Sequence, residues 1–273
     1  MSRDRPVMLL VFCLVLAGGA FARPAGAQSA AAQSPAPDVP EANPGRPTVS
    51  TPATLTPVGY LQFETGMLGA SDSGEFSSRY ALEEVMKFSV APRLELLASS
   101  EPVVHSVTGG ISANGPGDVL LGAQIVLLPG EGVKPTIAMS YFHRVYGGDA
   151  PDLDTGSTTN SLVVLASADV KGFHYDTNVL FNEAVDGARR RTQFGQTLSI
   201  SHPIAGKFSL SGEIWHFTQP FLRGNAVGNL WAAGYTAKKN LVFDAGFSRG
   251  LTSTSTHWEA FAGFTYLLPK KLF

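Results

Sequence analysis

Phe208-Ser209-Leu210-Ser211-Gly212-Glu213-Ile214 alternates apolar and polar residues with a period of two. Successive side chains of an extended chain point to opposite faces, so this stretch reads as a strand with one apolar and one polar face. Leu61-Gln62-Phe63-Glu64-Thr65-Gly66-Met67, Val119-Leu120-Leu121-Gly122-Ala123-Gln124-Ile125 and Phe173-His174-Tyr175-Asp176-Thr177-Asn178-Val179 repeat it. So do Leu241-Val242-Phe243-Asp244-Ala245-Gly246-Phe247 and Trp258-Glu259-Ala260-Phe261-Ala262-Gly263-Phe264. No window carries a helical period. Twelve strands are expected, over 59–69, 78–90, 93–101, 117–128, 134–146, 159–170, 173–183, 191–202, 207–217, 227–237, 241–250 and 257–268.

These strands are about as long as the ~9–11 residues a tilted strand needs to cross a bilayer, and longer than most soluble strands. Connections alternate in length. Those at 102–116, 147–158, 184–190 and 218–226 are long, whereas Ala91-Pro92, Lys171-Gly172 and 237–240 are short. On the outward parity, Tyr80, Phe194, Trp231, Phe247 and Trp258 fall towards the long-loop rim. Tyr60, Phe88, Phe173, Tyr175, Phe208, Phe243 and Tyr266 fall towards the other. An even strand count, short turns on one side and two aromatic girdles predict an all-β fold, a transmembrane antiparallel up-and-down β-barrel of about 12 strands.

Composition agrees. Only 15% of residues are charged, 29 are glycine, mean hydropathy is +0.08 and the net charge is -2. That leaves no basic surplus for nucleic acid and argues against disorder. Cys13 is the only cysteine, which excludes disulfide scaffolds and Cys-ligated metals from the rest of the chain. It lies in 1–27, where Arg3 and Arg5, an apolar run and Ala25-Gly26-Ala27 have the layout of a cleaved secretory signal peptide. Export to the cell outer membrane is therefore expected. Residues 28–57 are rich in Pro and Ala and read as an extended periplasmic linker or plug segment, followed by the barrel over 58–273.

The stretch from Arg46-Pro47-Thr48-Val49-Ser50-Thr51-Pro52 to Tyr60-Leu61-Gln62-Phe63-Glu64-Thr65-Gly66 resembles the opening of the outer-membrane β-barrel transporter family, meta-pathway of phenol degradation type. Gly115-Pro116-Gly117-Asp118-Val119 and Asp244-Ala245-Gly246-Phe247-Ser248-Arg249-Gly250-Leu251 are similar to further strands of that family, and Phe273 ends the chain on an aromatic. The resemblance spans 46–273 and implies passage of small solutes without assigning a cargo. A branch of the family that exports amyloid subunits carries a helical N-terminal region where this chain has prolines.

By parity the lumen is expected to hold Glu64, Arg79, Glu83, Lys87, Glu95, Asp118, Arg144, Asp169, Asp176, Glu213, Asp244 and Glu259, along with Gln124, Asn178 and Asn182. Nine carboxylates against three cations leave a formal -6, a field that favours cations in a confined pore. Pairing with Arg79, Lys87 and Arg144 would reduce it. Leu97, Leu120, Leu165 and Leu180 share the inward parity, so the lumen also suits small aromatic or amphipathic compounds. Twelve strands make a narrow barrel, and residues 45–57 could plug it with Arg46 reaching lumen carboxylates.

Rival readings are a non-conducting structural or adhesive barrel and a lipid-modifying barrel enzyme. The second needs a serine with a base in reach; a cross-strand dyad is the form open to it, and His143 has outward parity near the outer rim, where a lipid-facing site would sit. His105 and His202 are expected in a loop and a turn. Asp149, Asp152 and Asp154 lack calcium-loop spacing, and Gly115-x-Gly117 precedes a strand where a phosphate loop needs a helix. No catalytic residue, metal or cofactor is assigned. Expected partners are outer-membrane lipids, small-molecule solutes and the barrel-assembly machinery, the last through the C-terminal strand. Adjacent Glu83 and Glu84 must point to opposite faces unless a bulge intervenes, and Arg249 falls on the outward parity near a strand end.

Overall fold

The computed structural model describes residues 39–148 and 157–273. The expected signal peptide, the first part of the linker and Asp149, Asp152 and Asp154 lie outside them. The strands are β1 (Leu61–Ser71), β2 (Ser78–Ala91), β3 (Leu94–Thr108), β4 (Ile111–Gly115), β5 (Val119–Leu128), β6 (Thr136–Tyr146) and β7 (Ser157–Val170). They continue as β8 (Phe173–Asp186), β9 (Arg189–Ala205), β10 (Phe208–Thr218), β11 (Asn225–Lys238), β12 (Leu241–Gly250) and β13 (Trp258–Leu267). Each pairs antiparallel with its neighbours, and β1 pairs with both β2 and β13, so the sheet closes on itself. Closure pairs both edges of every strand around the wall, and among the described strands β4, beyond the rim, pairs on one edge alone.

The barrel has twelve staves although thirteen strands occur, because β4 and β5 share one place. β5 pairs with Leu94 to Ser100 of β3, and β4 with Val104 to Thr108. The segment 102–116, expected as a loop, is therefore mostly a β-hairpin projecting from the rim. Alternation continues through Val103-Val104-His105-Ser106-Val107, and Gly109 and Gly110, at φ 58° and 83°, make the turn between β3 and β4. His105 and His202, expected in irregular chain, lie in β3 and β9 and stack on Tyr80 and Phe173 at 6.4 and 4.4 Å.

Outward positions form an exposed apolar wall with aromatic rings at both ends. Tyr80, Trp231, Phe247 and Trp258 lie at the long-loop rim, and Phe173, Phe208 and Phe243 lie at the other. Many of these rings meet across strands, as Phe208 does with Tyr235 at 4.9 Å and Phe247 with Trp258 at 6.4 Å. Arg249 points outward and lays its guanidinium 4.3 Å from the Trp258 ring centroid, which shelters the charge at the rim.

The bulge beside the glutamate pair lies in β3, at Glu101-Pro102, where the β2–β3 register shifts between Leu82 and Glu84. β2 itself keeps strict alternation against β1. Glu83 thus faces the lumen. Glu84 faces outward in a polar row with Thr65 and Ser100.

Candidate functional site

Inside the barrel lies a strap of extended chain, residues 42–57. Its prolines at 44, 47, 52 and 57 carry no N–H, so it cannot join a ladder. Its remaining buried donors need acceptors, and the inward carboxylates and amides of the strands supply them. Ala42 N bonds Lys239 O in the short turn between β11 and β12 at 2.8 Å. Asn43 N bonds Gln62 at 2.8 Å, while Gly45 N and Arg46 N bond Glu64 at 2.9 and 3.2 Å. Val49 N and Ser50 N both bond Glu213 at 2.7 Å, and Ser50 Oγ donates to the same carboxylate at 2.6 Å, 2.7 Å from Thr197 Oγ1.

The strap then turns along the far wall. Thr51 N bonds Asn178 Oδ1 at 2.7 Å, and Asn178 Nδ2 returns a bond to Thr51 O at 2.9 Å. Gln124 donates to Pro52 O at 3.1 Å. Ala53 N bonds Ser167 Oγ at 2.7 Å, whose own proton goes to Asp176 at 2.5 Å. Thr56 N and Oγ1 both bond Glu95, at 2.9 and 2.5 Å. Asn43 Nδ2 donates to Thr54 O at 2.8 Å, tying the start of the strap to its end. The strap thus circles the lumen, anchored to side chains of β1, β2, β3, β5, β7, β8, β9, β10 and β12. Ala53, fully buried, packs with Val126, Ala138, Val163 and Leu165 in an apolar cluster.

Arg46 is the strap's one cation and reaches furthest. Its guanidinium lies 3.2 Å from Glu83 and 3.4 Å from Asp244, with its side chain 13% exposed. Room for it comes from Gly66 and Gly263, which face each other across β1 and β13. A Cβ on Gly263 would sit 2.9 Å from Arg46 Nε, and one on Gly66 would collide with the guanidinium itself. Lys87 pairs with Glu64 at 2.6 Å, beside Gly45, where a Cβ would lie 2.6 Å from Lys87 Nζ.

The expected lumen residues fall into groups. Glu64, Glu83, Lys87, Glu95, Glu213 and Asp244 gather around the strap, with Asp176 behind Ser167. Nearer the long-loop rim, Arg79 pairs with Glu101 at 2.6 Å, and Arg144 with Asp118 at 3.0 Å. Glu259 is partly buried on the inward register opposite Ala70 and Ser248. Asp169 is not in the lumen. It sits at the short-turn rim, its side chain 65% exposed, bonded to His174 at 2.8 Å, because β7 ends one residue later. Parity reasoning passed over Glu101, which shares the inward parity of Glu95 and Leu97 and stands just before the bulge that shifts the parity of the residues after Pro102. It also passed over Gln62, Ser167 and Thr197, neutral residues whose only signal was a polar side chain on the inward register.

Two contiguous cavities border the strap. One of about 500 Å³ lies among Arg46, Arg79, Glu83, Glu101, Asp118 and Phe217. The other, about 340 Å³, lies between Pro52 and Thr54 and a wall that includes Leu97, Leu120, Phe142 and Leu180. Val85, Lys87, Leu120 and Leu180 line both.

His143 Nδ1 lies 2.9 Å from Asn160 Oδ1 on the outer face. Outward positions two residues either side are Tyr141 and Val145, so no serine stands beside it on its own strand face. Among the described residues no cluster of His, Cys, Asp and Glu could hold a metal.

A closed twelve-strand barrel with an apolar outside and a polar, threaded inside has the architecture of outer-membrane channels and porins. The chain is similar in fold to an outer-membrane channel from Pseudomonas putida F1, at 12% identity and TM-score 0.58, covering 79% of this chain and 98% of that one. It is also similar to the NanC porin, at 12% identity and TM-score 0.52, covering 76% and 100%. No family model matches the sequence, and no curated protein does.

Proposed function

We propose that the chain is an outer-membrane channel for passive passage of small solutes, with residues 42–57 narrowing its lumen. The observation that carries this reading is the pair of contiguous cavities running beside the strap, in a barrel whose outer wall suits hydrocarbon. The resemblance of 46–66 to transporters of the phenol meta-pathway type belongs to the same proposal.

The lining bears on what passes. Carboxylates around the strap are engaged by Arg46, Lys87 or strap N–H groups, so the cation preference of the intact channel is slight. The smaller cavity offers Leu97, Leu120, Phe142 and Leu180 beside Gln124, Ser140 and Asn182, which suits small aromatic or amphipathic compounds. No reaction is assigned. A serine-dependent enzyme at His143 would need a serine that the outward positions beside it on β6 do not provide.

A non-conducting structural barrel is the second reading, favoured by how firmly the strap is bonded. Planar-bilayer recording under a KCl gradient separates the two. Discrete openings with a small cation-selective reversal potential are expected. A silent bilayer, with folding verified by heat-shifted gel mobility, would favour the structural barrel.

A further inference from the structure

At the long-loop rim an ordered polar row lies on the outer face of β6 to β9, where neither the lumen nor the strap uses it. Its lower neighbours are Tyr141, Leu162, Phe181 and Phe194, aligned in register across the four strands. One step above, also in register, come His143, Asn160, Glu183 and Thr192. The apolar row marks the edge of the hydrocarbon, so the polar row stands at headgroup height.

Side-chain bonds link the row from His143 to Glu183. Tyr141 Oη donates to Asn160 Oδ1 at 2.7 Å, and His143 Nδ1 lies 2.9 Å from the same oxygen. That oxygen can only accept, which places the His143 proton on Nδ1. Asn160 Nδ2 donates to Glu183 Oε2 at 2.6 Å, as does Thr159 Oγ1, and Arg190 Nη1 donates to Glu183 Oε1 at 2.8 Å. Glu183 is saturated by its own neighbours and serves to position them.

Arg190 remains 66% exposed, with one of its five N–H donors bonded to Glu183. It belongs to the run Arg189-Arg190-Arg191 at the head of β9. Arg191 reaches over the mouth to Pro220 O and the Phe221 ring. Neither Arg189 nor Arg191 is ion-paired among the described residues, and the neighbouring acidic residues of β8 are Glu183 and Asp186.

We propose that Arg190 and His143, backed by Arg189, form a binding site for a phosphate-bearing lipid headgroup in the outer leaflet. The guanidinium supplies paired donors for phosphate oxygens, and the imidazole, its proton on Nδ1, presents Nε2 as an acceptor for a phosphate hydroxyl. Acyl chains of that lipid would lie along Leu162, Phe181 and Phe194 directly below. The proposal rests on the membrane reading only for which rim faces the outer leaflet; a chain that conducts yet ignores phosphate would sink this proposal alone.

The test is thermal unfolding of the full chain in detergent, followed by gel mobility. Additions are a bisphosphorylated acylated disaccharide lipid, its dephosphorylated form, or inorganic phosphate. The phosphorylated lipid should raise the midpoint by about 5 °C near saturation. Arg190→Gln with His143→Gln should lose most of that shift, whereas Lys207→Gln at the opposite rim should keep it. An equal shift with the dephosphorylated lipid would show that only the acyl chains bind and would overturn the proposal. A full shift with inorganic phosphate alone would make the site one for free anions, which overturns its lipid assignment. If the double variant has no heat-shifted form, Arg190→Lys gives a second reading: it should weaken the shift without abolishing it.

Discussion

Arg46 sits over Gly66 and Gly263, between Glu83 and Asp244, a place that side chains on either strand would fill. Gly66→Leu is therefore expected to expel the guanidinium while leaving the β1–β2 ladder intact. Single-channel recordings should then show larger or noisier openings than the parent, as should Arg46→Gln. Unchanged traces from both would mean that Arg46 does not set the width of the path. Glu84 is a residue-scale matter of the opposite sign. It stands outward, midway along β2 between Tyr80 and Phe88, with only Thr65 and Ser100 as cross-strand polar company. A carboxylate at such a depth is unfavourable, though less so than a basic group there. Glu84→Leu should stabilise the folded barrel by about 1–2 kcal/mol in urea titrations in lipid vesicles. A loss of stability would point to a protein partner on that face.

Among the elements, the strap carries the most consequence. Glu213 alone accepts from Val49 N, Ser50 N and Ser50 Oγ, and Glu213→Ala leaves those donors without it. The loss should be about 2–3 kcal/mol of stability, since each buried unsatisfied group costs on the order of 1–3 kcal/mol. Glu213→Gln, which keeps one acceptor oxygen, should lose less. The strands themselves were legible, because a half-buried barrel writes alternation into every stave. What alternation could not show was the path of the strap: residues 42–57 have no periodicity, and their partners are scattered from Gln62 to Asp244. Proline density excluded a ladder, but did not reveal that the N–H groups between the prolines would be answered by side chains of five strands. The β3–β4 hairpin was misread for a related reason. Pro102 and the glycines at 109, 110 and 115 look like loop chemistry, while the alternation from Val103 to Val107 is short. The bulge at Glu101 then inverts its parity.

For the molecule as a whole, the strap and the wall are made for each other in charge. The inward face carries more carboxylates than cations, and the strap answers with Arg46 and a line of N–H donors. Asp169 and Asp118 lie towards opposite rims, so the excess that matters is the one around the strap. Removing residues 42–57 would uncover Glu64, Glu95, Glu213 and Asp244 in a narrow, low-dielectric lumen, where confined carboxylates favour cations. The barrel should still close, because β1 pairs with β13 beyond the strap and Phe273 packs on Phe88 at 5.7 Å between ring centroids. Heat-shifted mobility of the deleted protein checks this. The decisive measurement is single-channel conductance and reversal potential of the full chain beside the chain lacking 42–57, in the same bilayer and salt gradient. A severalfold rise in conductance with a shift towards cation selectivity is the expected result. Identical currents from the two, with both proteins shown to be folded, would contradict the account.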